Sequence, residues 1–532
     1  MNYSDSVVLN NKGKLILLLA SLRILLVSIL LAVSAHGDAL AYFAEEKKPN
    51  IILLYVDDLG FGDIGVNGAT AVKTPNIDQL AAEGLNFTDA HSTAATCTPS
   101  RYALLTGEHG FRIESDILEG DAPALIKPGK PTLPLMLKKA GYKTAVIGKW
   151  HLGLGDGNID WNIAVTPGPS EVGFDYSFLM PVTGDRVPTV YLENQSVVNL
   201  DPADPIEVSY IKKIGDRPHG LDRPDLLRYA ADPQHNETII NGVARIGSMS
   251  GGEAALWDDE KIPFVFTDKA RDFIKSSADD PFFLFYSFHD IHVPRMPNEK
   301  FIGMTEMGPR GDAISQVDWV VGEIVDTVRA LGIEENTIIL FTSDNGPVLD
   351  DGYADHAVLS LGSHRPAGPY RGGKYSAFEA GTRMPTILRW PGSVVPGVSD
   401  ALLSQVDLYA SLASLLDIKL VAGEAIDSIN TLSAYLGTSY HARDFIIEES
   451  VATLSIRAGN WKYIVPTEKA RNIGAQWVEK DKGIEGGFTP NSQLYDLTSD
   501  KGEQKNVAEL YPEKVMEMQK KITEIRNSGF RN

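Results

Sequence analysis

The stretch 50–56 (Asn-Ile-Ile-Leu-Leu-Tyr-Val) is apolar without a break from Ile51 on and stops at Asp57-Asp58. A run this short and this rich in Ile and Leu predicts a strand buried on both faces of a parallel sheet. The arrangement recurs. Residues 143–147 run into Gly148-Lys149-Trp150-His151, 282–288 into His289-Asp290-Ile291-His292, and 337–342 into Ser343-Asp344-Asn345-Gly346. Helical spacing lies between them, at 76–84, 133–140 and 314–331. Buried strands alternating with helices predict an α/β fold with a doubly wound sheet, mixed or parallel, flanked by helices. In such sheets ligands bind beyond the carboxyl ends of the strands, and here four strands end in acids, a lysine or histidines.

From about 155 to 260 the periodicity fades into a Pro-, Gly-, Asn- and Asp-rich stretch, which predicts an insert over that edge. A glycine-rich, cationic stretch at 370–383 leads into a further strand at 385–390. Past about 431 short strands near 445–447 and 463–465 and an amphipathic helix at 513–525 predict a smaller α+β C-terminal domain with a short antiparallel sheet. The expected organisation is therefore a catalytic domain over 42–430, with its insert at 155–260, and a C-terminal subdomain over 431–532. The first 41 residues differ in kind. Lys12 and Lys14 precede an apolar run ending near Val33, and Ala39-Leu40-Ala41 is a small-residue cleavage site, so 1–41 reads as a signal peptide. A retained membrane anchor is the competing reading, against which Arg23 interrupts the run. Export without disulfides fits a bacterial periplasm or the extracellular space. The formal charge of −21 argues against nucleic acid as a partner and leaves room for an anionic substrate held by local cations.

Cys97 is the only cysteine of the 532 residues, so it makes no intramolecular disulfide. Pro99 suits a first helical turn and Gly107 a left-handed C-cap, which places Cys97 at the positive end of a short helix with Arg101 one turn on. A buried thiol packing as a small hydrophobe is the plain alternative. Asp57, Asp58, Asp344 and Asn345 offer only oxygen ligands, which suit Ca²⁺ and less readily Mg²⁺; the alternative is that they cap turns. Arg101, Lys149, Lys374, His151 and His292 would surround a tetrahedral oxyanion near that metal, as hydrolysis of a sulfate or phosphate ester requires.

Cys97-Thr98-Pro99-Ser100-Arg101 resembles the signature of the formylglycine-dependent sulfatases of the alkaline phosphatase superfamily, and 141–151 resembles that family's second signature. The likeness extends through Asp57-Asp58, His292-Val293-Pro294, Asp344-Asn345-Gly346, Lys374 and Leu494-Tyr495-Asp496-Leu497. It implies an alkaline-phosphatase-like fold and a sulfuric ester hydrolase. It also implies that Cys97 is converted to formylglycine by a formylglycine-generating or anaerobic sulfatase-maturing enzyme. One hydroxyl of the hydrated aldehyde would attack sulfur, and loss of the proton from the second would expel sulfate. By matching positions, Asp57, Asp58, Asp344, Asn345 and the modified Cys97 would bind one Ca²⁺. Arg101 and Lys149 would stabilise the formylglycine, His151 would take the proton of the elimination, and His292 and Lys374 would bind the sulfate. His289 would stand behind the site or be structural.

Two other readings stand beside this one. Phosphonate monoester hydrolases and phosphodiesterases of the superfamily share the Cys-x-Pro-x-Arg motif but tend to carry His where this chain has Asn345. A non-catalytic sulfated-glycan binder would result if Cys97 stayed unmodified. The insert resembles that of carbohydrate sulfatases acting on 6-sulfated galactose or N-acetylgalactosamine, which implies a sulfated saccharide partner. Within it Asp185 and Arg186 could bracket a sugar hydroxyl, with Trp257 or Tyr191 as an apolar platform; a surface salt bridge in a turn is the alternative.

Overall fold

A computed structural model describes residues 47–468 and 485–527. The expected signal segment at 1–41 lies outside the described residues. No helix among them is long and apolar enough to cross a membrane.

The apolar run at 50–56 becomes the strand Asn50–Val56, buried throughout, at the middle of a ten-stranded sheet. It pairs in parallel with Phe282–Ser287 on one side and Thr337–Ser343 on the other. Lys143–Lys149 continues the parallel run beyond Phe282–Ser287. The four strands whose polar ends stood out in the sequence are thus side by side, and their ends share one edge. Outside them Thr386–Arg389 pairs antiparallel with Thr337–Ser343, which makes the sheet mixed.

Period-two alternation decides what each face buries. Ile51, Leu53 and Tyr55 join Phe283, Phe285 and Leu340 in one core, packed with residues of the helices Cys97–Thr106, Leu133–Lys139 and Leu408–Leu415. Ile52, Leu54 and Val56 face the other way, toward Phe266, Ile314, Val317 and Val321 from Ile262–Ser277 and Pro309–Ala330. That last helix starts five residues ahead of the expected 314, because Gly308 and Pro309 open it and Asp312 accepts from the backbone of Gly303 and Thr305. Lys149, expected in the turn, is the last residue of its strand.

Part of the stretch expected as an insert, 155–260, belongs to the main sheet: Tyr176–Met180 pairs in parallel with Lys143–Lys149, and Leu192–Glu193 and Ser196–Val197 extend that edge. The remainder carries two-stranded ribbons, such as Glu207–Ser209 with Ser248–Ser250, too short to show a period. At the C-terminus Phe445–Glu449, Leu454–Ala458, Trp461–Ile464 and Gln493–Asp496 form an antiparallel sheet. The helix Pro512–Asn527 lays Met518, Ile522 and Ile525 on it, in a core with Ile447, Ile456, Tyr463 and Leu494.

Candidate active site

The helix Cys97–Thr106 starts from an extended Thr96 and ends on Gly107 at φ 68°, so Cys97 sits at its first turn, buried. Cys97 Sγ lies 3.2 Å from His151 Nδ1. The other nitrogen of that ring, Nε2, lies 2.9 Å from the Leu118 carbonyl, which fixes the proton on Nε2 and leaves Nδ1 as the acceptor facing Cys97. Burial, then the neighbouring Lys149 and Arg186, push the His151 imidazolium well below its ordinary range. Burial also raises the Cys97 thiol, with Lys149 pulling the other way. A thiol held protonated is a poor nucleophile.

Arg101 reaches back across the strand ends. Its Nη2 and Nε donate to Asp344 Oδ2 at 2.7 and 3.1 Å, and its Nη1 donates to the Ser287 hydroxyl. Lys149 donates to Asp57, and Lys374 Nζ lies 3.0 Å from Asp58 Oδ2. Each acid of the trio therefore carries its own cation. Asn345 Nδ2 donates to Asp58 Oδ1 at 2.7 Å. Two oxygens are left over: Asp57 Oδ1 and Asn345 Oδ1 are buried with no hydrogen-bond partner. Ligating atoms of Asp57, Asp58 and His292 lie within 4.8 Å of one another. Burial and the charge of Asp344 push Asp57 up to about 6, and burial pushes Asp58 to about 6 against the pull of Lys374. Crowded, dry carboxylates with orphaned oxygens are what a hard divalent cation relieves, so the residues fit Ca²⁺.

A cavity of about 400 Å³ opens beside Cys97, His151, His292 and Lys374. His292 Nδ1 donates to the Val293 carbonyl at 2.7 Å, which leaves Nε2 without its proton, as an acceptor. On another wall stand Asp185 and Arg186, paired at 2.8 Å and largely buried, unlike a salt bridge in a surface turn. Tyr191 and Trp257 do not join them. They pack against each other, tilted, at 5.8 Å in the buried core that also holds Phe266. His289 packs edge-on to Phe266 and 3.6 Å from Asp290.

Two residues of the cavity carried no signal in the sequence. His235 sits with Nε2 3.3 Å from Asp185 and Nδ1 2.7 Å from Asp232. Asp351 lies 2.8 Å from Lys374 Nζ. Both belong to loops without a period, and only tertiary structure brings them to the wall.

A sulfatase family model matches residues 49–418. The chain is 48% identical over 483 residues to the N-acetylgalactosamine-6-O-sulfatase of Bacteroides thetaiotaomicron, covering 90% of this chain and 93% of that protein. It is 30% identical to human arylsulfatase A over 496 residues, 90% of this chain and 86% of the relative. A solved B. thetaiotaomicron structure from work on glycosaminoglycan metabolism superposes with a TM-score of 0.88 at 48% identity, covering 91% of this chain and all of that one. The chain belongs to the sulfatase family and is a sulfuric ester hydrolase.

Proposed function

We propose that this sulfatase removes the 6-sulfate from N-acetylgalactosamine or galactose in a sulfated glycan, using Ca²⁺ and a formylglycine made from Cys97. The observation that carries the reading is the pair of unpartnered oxygens, Asp57 Oδ1 and Asn345 Oδ1, in an acid cluster that Lys374 joins to a cavity lined by Cys97 and a paired Asp185–Arg186. Ca²⁺ would supply a Lewis acid and formylglycine the nucleophile, chemistry that a buried, protonated thiol lacks.

The chain's own residues do the rest. Asp57, Asp58, Asp344 and Asn345 hold the metal. Arg101 and Lys149 balance those carboxylates and stabilise negative charge at position 97. His151, with its proton fixed on Nε2, accepts a proton at Nδ1 from the group at position 97. Lys374 takes the sulfate and hands a proton to the leaving alcohol, while His292, neutral with its one proton on the Val293 carbonyl, lines the same pocket with Nε2 as an acceptor. Asp185, Arg186 and His235 bind the sugar. The 48% relative, an N-acetylgalactosamine-6-O-sulfatase, supports the galacto configuration and the 6-position. Export to the periplasm or beyond through the segment at 1–41 and maturation by a formylglycine-generating or anaerobic sulfatase-maturing enzyme complete the proposal.

Sulfate release from N-acetylgalactosamine 6-sulfate, its 4-sulfated isomer and glucosamine 6-sulfate tests it. The expected order is the galacto 6-sulfate well ahead of both others. Equal or faster release from the 4-sulfate would overturn the substrate, and an intact thiol at Cys97 in active protein would overturn the nucleophile.

A further inference from the structure

The three cations of the site are not equally anchored. Among the described residues, the carboxylates paired with Arg101 and Lys149 are Asp344 and Asp57, which belong to the proposed metal set. A divalent ion drawn onto those acids repels both cations. Arg101 keeps the Ser287 hydroxyl and the Lys149 carbonyl as further partners. Lys374 differs. Its buried ammonium spans Asp58 Oδ2 at 3.0 Å and Asp351 Oδ2 at 2.8 Å, and Asp351 stands outside the metal set.

Asp351 is itself held from several sides. The Tyr375 hydroxyl donates to it, 2.8 Å from Oδ1 and 3.1 Å from Oδ2. The loop that carries it is pinned by Arg295, whose guanidinium donates to the carbonyls of Val348 and Leu349 and to Asp355. Arg295 Nε donates to the Ile291 carbonyl, next to His292. One fully buried side chain therefore sets the place of both sulfate-facing segments. The far side of the loop is fixed to the sugar wall, where Asp232 N donates to the Gly352 carbonyl at 2.8 Å.

We propose that Asp351 is the positioning residue for the sulfate-binding ammonium of Lys374, holding it at the cavity wall when Asp58 is engaged by the metal. The proposal rests on the reading of Lys374 as a sulfate ligand. An ammonium has three N–H donors. With one on Asp351 and one shared with Asp58, the third is left for the sulfate. Asp351→Asn keeps the shape and an acceptor oxygen but removes the charge that opposes the metal. Removing a negative charge near the cavity would by itself favour an anion, so the two effects predict opposite signs and the sign decides.

The test is binding of inorganic sulfate by calorimetry to the calcium-loaded protein, with KM and kcat for an aryl sulfate and for the sugar sulfate. Asp351→Asn is expected to weaken sulfate binding and raise KM on both substrates by roughly 10- to 100-fold, the size of a hydrogen bond to a charged group. Tyr375→Phe should move the same quantities less, and Asp351→Glu should restore part of the loss, with calcium content unchanged throughout. Sulfate binding unchanged or tighter in Asp351→Asn would overturn the proposal while leaving the sulfatase reading intact. A wild-type protein that neither binds sulfate nor releases it would overturn that reading and this proposal with it.

Discussion

Asp57 Oδ1 and Asn345 Oδ1 are buried acceptors facing no donor, and a buried polar atom without a partner costs on the order of 1–3 kcal/mol. A cation that takes both recovers that cost. Asn345→Ala is therefore expected to lower calcium affinity at least about tenfold, read by calcium titration of the folded protein. An unchanged affinity would remove Asn345 from the metal set. His235 gives a pH dependence. Burial opposes its charge, but Asp185 and Asp232 outweigh it and carry the imidazolium up to about 9. An unfolded histidine titrates near 6.5, so this charge stabilises the fold fully below about 6.5 and the contribution is lost as pH rises through about 9. Over the same upper range Asp185 loses a charged partner. KM for the sugar sulfate should therefore rise above about pH 9 in the wild type, and that step should be absent in His235→Gln. The same step in both would assign the titration elsewhere.

At the scale of elements, what the sequence made legible was the set of strand ends. A parallel strand buried on both faces has to be apolar until it leaves the sheet, so the change to Asp57, Lys149, His292 or Asp344 marks where chemistry begins. Cys97, Pro99 and Gly107 mark their helix by the same kind of local rule, and Gly107 is left-handed as its position requires. Asp351 and His235 were illegible because nothing local fixes them. Their loops meet only through tertiary hydrogen bonds, and no period announces that. The aromatic residues of the insert misled for a related reason, since composition alone does not say whether Trp257 faces a cavity or packs on Tyr191 in the core. Gly148 shows how tightly the strand ends are packed. It has φ 115°, and a Cβ there would stand 1.8 Å from the Ser287 carbonyl oxygen. Gly148→Ala must push apart the strands that carry Lys149 and Ser287. It is expected to cost about 2 kcal/mol or more in denaturant unfolding, with activity falling alongside. Wild-type stability in that variant would show that the strands can separate freely.

Over the whole molecule, the C-terminal sheet is tied to the cysteine rather than appended beside it. Glu449 exchanges backbone hydrogen bonds with Thr93 and Ala95, two to four residues ahead of Cys97, and Ala95 also accepts from Tyr375 N. Beneath that seam lies a buried ionic network. Arg457 pairs with Asp89 at 2.9 Å and Glu379 at 2.5 Å, Lys462 with Glu379 at 3.4 Å and with Glu448, and Arg383 with Glu379 at 2.8 Å. Asp89, His91 and Glu379 cluster closely enough to suggest a second metal site, but these guanidinium and ammonium groups already meet the acids. Such a network adds little net stability compared with an apolar core, yet removing one partner strands a buried charge at a cost of about 3–5 kcal/mol. Arg457→Ala would leave Asp89 and Glu379 short of a cation at the seam next to Cys97. The expected result is a large loss of stability, with sulfate release failing at temperatures where the wild type still turns over. Arg457→Lys should recover part of the stability, because it returns the charge without the bidentate geometry. If Arg457→Ala instead melted as the wild type does, the seam would be held by its backbone bonds alone, and the path from the C-terminal sheet to Cys97 would run through Glu449 and Tyr375 without the ions beneath them.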